Sequence, residues 1–179
     1  MKVNLGCNRD IRPEWLNIDI ANYTDKYFLS WDLRNGLPLQ AKDAELIVSC
    51  HFLEHLHFDA IEKLSRDCFN SLASGGKLRS VIPNFKGLFK AYLEGNFSRF
   101  DYLRKVYRNY NSLLEIVNDG VYQYANGEND HKSIIDEDYL IDLYLSLGFK
   151  SAYVDIWRPE VDGNEELRRL YSVIVEAIK

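Results

Sequence analysis

Cysteine, proline and methionine are scarce in this chain: three, four and one among 179 residues. Cys7, Cys50 and Cys68 form an odd set without a CxxC pair. That excludes a disulfide framework and points to a reducing compartment. With ten glycines beside the four prolines, collagen-like and low-complexity classes are excluded too. No apolar run approaches the roughly 18 residues of a membrane helix. The opening MKVNLGCNRD has too short an apolar stretch for a secretory signal. The expected location is cytoplasmic, with no membrane partner. Positive charge is also in deficit: 22 Lys and Arg against 27 Asp and Glu, net −5. A basic footprint over the whole surface is therefore missing, and nucleic acid is not the expected partner.

What is present suits a globular protein: 46% hydrophobic and 27% charged residues. The length fits one domain, 1–179, and is too short for two full catalytic domains. Aromatics reach 13%, twelve of them Tyr, a stock for the core and for a binding surface.

Short apolar segments at 3–5, 15–20 and 27–29 read as strands, and 44–50 (AELIVSC) as a strand buried on both faces. Apolar residues at 61, 64, 68, 69 and 72 give helical spacing over 58–72. Asp59 is the expected cap, and Ser74-Gly75-Gly76 the expected stop. KLRSVI (77–82) is a strand ended by Pro83. A helix capped by Asp136 or Ser133 runs to Leu147 with Gly148 beyond it, and strands follow at 149–157 and 171–177. The polar 160–169 between those strands reads as a loop with a helical turn.

Alternating strands and helices predict a parallel α/β sheet, with ligands at the strands' carboxyl ends. Those ends are Gly6-Cys7, Asp19-Ile20, Ser49-Cys50-His51 and Pro83-Asn84. A glycine at a strand end lets backbone approach a ligand, and an acid ending the next strand suits ribose hydroxyls. A plain turn and a solvated Asp account equally for Gly6 and Asp19 alone. Asp32 suits an adenine amine or a turn cap.

Residues 85–130 break the rhythm: a short helix (88–93), a longer one (100–117), and loops with Gly120 and Gly127. Over 85–110 six basic residues face two acidic ones, net +4, with eight Phe and Tyr interleaved. This insert reads as a lid over a small acceptor, anionic or sugar-like, or as a helical pair at a sheet edge or homodimer contact.

Taken in order, KVNLGC, WLNIDI, WDLRNGLPL, AELIVSCHFLEHL, LASGGKLRSVIPN and HKSIIDEDYLIDLYLSLGF resemble the class I S-adenosylmethionine-dependent methyltransferases, of a short bacterial type. The resemblance implies a Rossmann-like sheet, mostly parallel with an antiparallel last strand, and a helical insert after strand 5. It implies S-adenosylmethionine as cofactor and methyl transfer to a small acceptor hydroxyl or amine. Gly6, Cys7 and Asn8 would line the methionine part, Asp19 and Ile20 the ribose, Asp32 and Leu33 the adenine. Ser49 and His51 would lie beside the methyl group. From their own positions, Glu54 and His55 start a helix, or His55 reaches the active-site rim as a catalytic candidate; His131, on the loop before the late helix, is a candidate general base or an exposed loop residue. Asn8 stands where the family has a second glycine, and tolerates left-handed backbone better than most residues. Nine residues between Gly6 and Leu16 leave no room for a full crossover helix, so the first half is reduced.

Two other readings remain. One is a non-catalytic binding or scaffold protein that keeps the fold. The other rests on HFLEH (51–55), which matches the H-x-x-E-H of zinc peptidases. That pattern needs a helix interior, whereas HFLEH directly follows a buried strand. The expectation is no metal.

Overall fold

The computed structural model describes residues 1–96, 98, 112–122, 130–163 and 166–179. Among the described residues seven strands build one sheet: β1 (Lys2–Leu5), β2 (Leu16–Asp19), β3 (Phe28–Ser30), β4 (Ala44–Cys50), β5 (Leu72–Pro83), β6 (Ser151–Asp155) and β7 (Ser172–Ile178). Their spatial order is β3-β2-β1-β4-β5-β7-β6. All neighbours pair in parallel except β7, which runs antiparallel to both β5 and β6. The chain leaves β1 and crosses first toward β2 and β3, then back to β4 on β1's other side. The carboxyl ends of β1 and β4 therefore flank the point where the winding direction changes, which is where such sheets bind ligands.

The central strands are apolar on both faces because both faces are covered. Val3, Leu5, Ile18, Ile47, Leu78 and Val175 lie in one core with Ile61, Leu64 and Cys68 of α1 (Phe58–Ser71) and Leu140 and Tyr144 of α4 (Glu137–Leu147). Asp136 caps α4 by accepting from the Tyr139 N–H at 2.8 Å, and Gly148 ends it in left-handed conformation. No helix stands between β1 and β2 or between β2 and β3, as the short connections require.

Two local expectations fail around α1. Its cap residue is His57, without a side-chain cap bond, and Asp59 lies in the first turn, where its charge suits the dipole. Gly75 and Gly76 do not close the helix. They lie inside β5, where its ladder with β4 shifts register between Ala44 and Leu46. At Gly76 a Cβ would meet the carbonyls of Ala44 and Ala73 at 2.9 Å, so the pair makes a bulge.

The interruption after β5 holds α2 (Phe85–Leu93), capped by Asn84, and α3 (Leu113–Tyr122). They share a small core of Phe85, Leu88, Ala91 and Ile116. The described helix ends five residues beyond the expected 100–117; residues 100–111 lie outside the described residues, with Arg104, Lys105 and Arg108. Arg99 and Gly127 also lie outside them. Lys86 reaches Asp136, Glu137 and Asp138, tying α2 to the start of α4. Lys90 pairs with Glu94 at 3.8 Å.

The polar 160–169 contains α5 (Pro159–Asp162) and α6 (Glu166–Tyr171). α5 is anchored by Arg79 of β5, fully buried, whose Nε and Nη2 both donate to Asp162 at 2.6 Å. Its Nη1 reaches Asp155 at 2.7 Å and Glu176 at 3.2 Å. Among the described residues, no helix is long and apolar enough to cross a membrane.

Candidate functional site at the strand ends

Two clusters form at the carboxyl edge of the sheet. The first joins β1 and β2. After β1 the backbone turns left-handed at Gly6 (φ 59°) and Asn8 (φ 45°), so Asn does take the conformation that a second glycine would. The Asn8 N–H donates to Asp19 Oδ2 at 2.8 Å, and the Ala21 N–H to Oδ1 at 2.9 Å. Each carboxylate oxygen thus accepts one N–H and keeps capacity for another donor. Tyr23 closes the rim by donating to Asn8 Oδ1 at 3.1 Å. Ile20 beside it leaves 63% of its surface exposed. A Cβ on Gly6 would lie 2.2 Å from the Phe52 ring, so only glycine fits beneath that side chain.

Other residues expected here face elsewhere. The Cys7 side chain is buried, and burial, with Asp19's charge second, pushes its thiol up to about 12. Only its backbone stands at the turn. Asp32 accepts from the Arg34 backbone N–H at 3.0 Å and from its guanidinium, which hold its carboxyl below the ordinary range. It caps the Leu33–Asn35 turn, with Leu33 in the core. Ser49 is buried and its hydroxyl meets Ser80 at 3.3 Å, which in turn meets Tyr144 at 2.6 Å.

The second cluster follows β4. HFLEH is not a helix interior: His51 has φ 49° and Leu53–His55 is a single 3-10 turn. The peptidase geometry of two histidines one α-turn apart is therefore not formed. Instead the turn sends Glu54 inward, fully buried. The Glu54 carbonyl accepts from the Lys132 and Ser133 N–H groups at 2.8 and 3.1 Å, and Ser133 Oγ donates to the Leu56 carbonyl at 2.7 Å. These bonds carry His131 across the fold to His55, ring centroids 5.0 Å apart, with Phe85 edge-on at 5.8 Å. The carboxylate of Glu54 and one ligand atom each of His55 and His131 lie within 4.8 Å of one another.

The protons in this cluster follow from its bonds. His131 Nδ1 lies 3.1 Å from the Val121 carbonyl, so Nδ1 carries the proton and Nε2 a lone pair. His131 Nε2, His55 Nδ1 and both Glu54 oxygens are buried without a hydrogen-bond partner among the described residues. His51 sits at the edge: Ser172 gives its own proton to the Arg168 carbonyl and accepts from His51 Nε2 at 2.7 Å. His51 Nδ1 lies 3.3 Å from Glu54 Oε1. Burial pushes the Glu54 carboxyl up, but the imidazoles, His51 foremost, outweigh it and hold it below its ordinary value. Burial keeps His131 below its ordinary value despite Glu54's charge.

Sequence reasoning named His51, His55 and His131 and gave Glu54 only a helix-start role. The signal for Glu54 was an acid between two histidines just past a buried strand, where a helix start would expose it.

Solved structures share this architecture. Over 99% of this chain and 85% of theirs, a SAM-dependent methyltransferase from Archaeoglobus fulgidus superposes with a TM-score of 0.57 at 14% identity. One from Thermotoga maritima gives 0.56 at 15% identity, covering 99% and 81%. One from Mesorhizobium loti gives 0.56 at 17%, covering 99% and 90%. No protein-family model matches the chain, and neither does any curated protein. The chain has the class I S-adenosylmethionine-dependent methyltransferase fold, with the seven-stranded order and antiparallel β7 that define it.

Proposed function

We propose that this protein is a methyltransferase that binds S-adenosylmethionine across the ends of β1 and β2 and methylates a hydroxyl or amine of a small acceptor. The observation that carries this is the Asp19 carboxylate at the end of β2, set against the left-handed turn after β1. The residues fit the cofactor: a half-buried acid with spare lone pairs for two ribose hydroxyls, bare backbone at Gly6, and an exposed Ile20 for a flat base. When bound, that cofactor supplies an electrophilic sulfonium methyl group. The chain's own part is to hold the acceptor in line and relieve it of a proton. In this reading His131 Nε2 and His55 Nδ1, buried without a hydrogen-bond partner among the described residues, take up that proton. The domain is read as a single unit, 1–179, with 85–130 covering the acceptor side; a homodimer contact through that insert is the competing reading.

The test is isothermal titration with S-adenosylhomocysteine. Asp19→Ala should weaken binding by about 1–3 kcal/mol, the loss of a charged acceptor for two hydroxyls. Unchanged affinity in the variant, or no binding by the native chain at millimolar ligand, favours a scaffold that kept only the fold.

A further inference from the structure

Glu54, His55 and His131 present an unusual set of atoms. Glu54 is buried and, among the described residues, neither of its oxygens accepts a hydrogen bond of good geometry, although His51 Nδ1 lies 3.3 Å from Oε1; two imidazole nitrogens of the cluster are buried without a hydrogen-bond partner too. A buried carboxylate without donors is costly unless a cation meets it. Neither imidazole supplies that cation from a bonded position. His131 spends its Nδ1 proton on the Val121 carbonyl and turns a lone pair to the cluster. That arrangement, with the outer nitrogen donating to a backbone carbonyl, is how metal-ligating histidines are oriented. The Glu54 backbone and His131 are locked together by the Lys132 and Ser133 N–H bonds to the Glu54 carbonyl. The positions are therefore set by the fold.

We propose that Glu54, His55 and His131 form a binding site for one divalent first-row transition-metal ion, with His55 Nδ1, His131 Nε2 and a Glu54 oxygen as ligands. Two imidazoles and one carboxylate suit zinc, manganese or iron(II) better than magnesium or calcium. One ring nitrogen of each histidine and a Glu54 oxygen lie within 4.8 Å of one another. Bond lengths near 2.1 Å need ligand separations of about 3.4 Å, so ligand atoms at the 4.8 Å limit close by about 1.4 Å when an ion binds. Three protein ligands leave a fourth position open. His51 is the outer partner: its Nδ1 lies 3.3 Å from Glu54 Oε1, and its Nε2 is fixed by Ser172. The site stands on this geometry alone. Only its use, with an acceptor oxygen or nitrogen in the open position, rests on the methyl-transfer reading; with the ion bound, the imidazoles hold the ion in place of the acceptor's proton.

The experiment uses the full chain, stripped with chelator and titrated calorimetrically with zinc chloride, and separately loaded with Co²⁺ for visible spectroscopy. One ion per chain should bind at micromolar concentration or tighter. Co²⁺ should show the strong visible bands of a four-coordinate site. Glu54→Gln and His131→Gln should each weaken zinc at least about tenfold and abolish those bands, with circular dichroism confirming that each variant folds. Should one fail to fold, His55→Gln gives the same readout. Absence of binding at millimolar zinc overturns the site, as does binding that the variants leave unaltered, since the ion then sits elsewhere. S-adenosylhomocysteine titration of the native sample separates the two ideas: zinc without it removes methyl transfer and keeps the site.

Discussion

At Gly6 two constraints coincide: a φ of 59° and a Phe52 ring where a Cβ would stand. Gly6→Ala should therefore destabilise the fold by about 2 kcal/mol or more, from left-handed backbone plus a contact that must give way. Urea denaturation measures it, and a loss under about 0.5 kcal/mol would mean that the turn relaxes. The cysteines make a second prediction. Burial pushes Cys7 up to about 12 and Cys50 up to about 11, with Arg168 partly opposing in the latter. Both thiols are protonated at about pH 8, so a thiol-specific reagent should label the native chain slowly and the urea-unfolded chain fast. The sign for stability follows. The unfolded thiols ionise near 9.0, the folded ones later, so this contribution is complete below 9.0 and is lost as pH rises from there toward the folded values. Urea melts at about pH 8 and pH 10 should show the decline; equal stability would contradict it.

At the scale of elements, Arg79 joins β5 to β6, β7 and α5 through Asp155, Glu176 and Asp162. Arg79→Met removes the cation that faces the buried Asp162, while Glu176 keeps Lys77 and Arg158 and Asp155 keeps Arg158; the unpaired Asp162 should cost about 3–5 kcal/mol. Thermal denaturation should show it, and a variant as stable as the native chain would mean that water or Arg158 takes over. The strand around it was legible as KLRSVI, but its ion network was not. Asp155, Asp162 and Glu176 are distant in sequence, and only the pairing of β5 with β7 brings them together. Ala44–Cys50 was read to the residue, because an apolar run buried on both faces has no competing period. Gly75-Gly76 was misread because a helix stop and a strand bulge ask for the same residue. The lid reading of 85–130 makes its own prediction. Amide exchange should be faster in α2 and α3 than in β4 and β5, and slow when cofactor and acceptor bind together. Uniform protection, unchanged by ligands, would count for a structural insert or dimer contact.

Across the whole molecule, fold and site were legible to different depths. Six segments in order resembled one family and so implied the sheet with its antiparallel last strand, while the short span from Gly6 to Leu16 predicted the reduced first half and the break in rhythm over 85–130 the interruption after β5. The site was legible only in part. Asp19 ends a strand and so announced itself. Asp32 was equally placed by sequence to contact a base or cap a turn, and the fold pairs it with Arg34. His131 lies far along the chain from Glu54, and two N–H bonds to one carbonyl, unreadable from composition, bring it there. The account's central claim is that the ends of β1 and β2 hold the nucleoside of S-adenosylmethionine. A crystal structure of the chain with S-adenosylhomocysteine tests it most directly. The account predicts both ribose hydroxyls within hydrogen-bond distance of the Asp19 carboxylate, with the ligand backbone passing Gly6. A ligand bound elsewhere, or an Asp19 still engaged only by Asn8 and Ala21 beside a bound ligand, would contradict it.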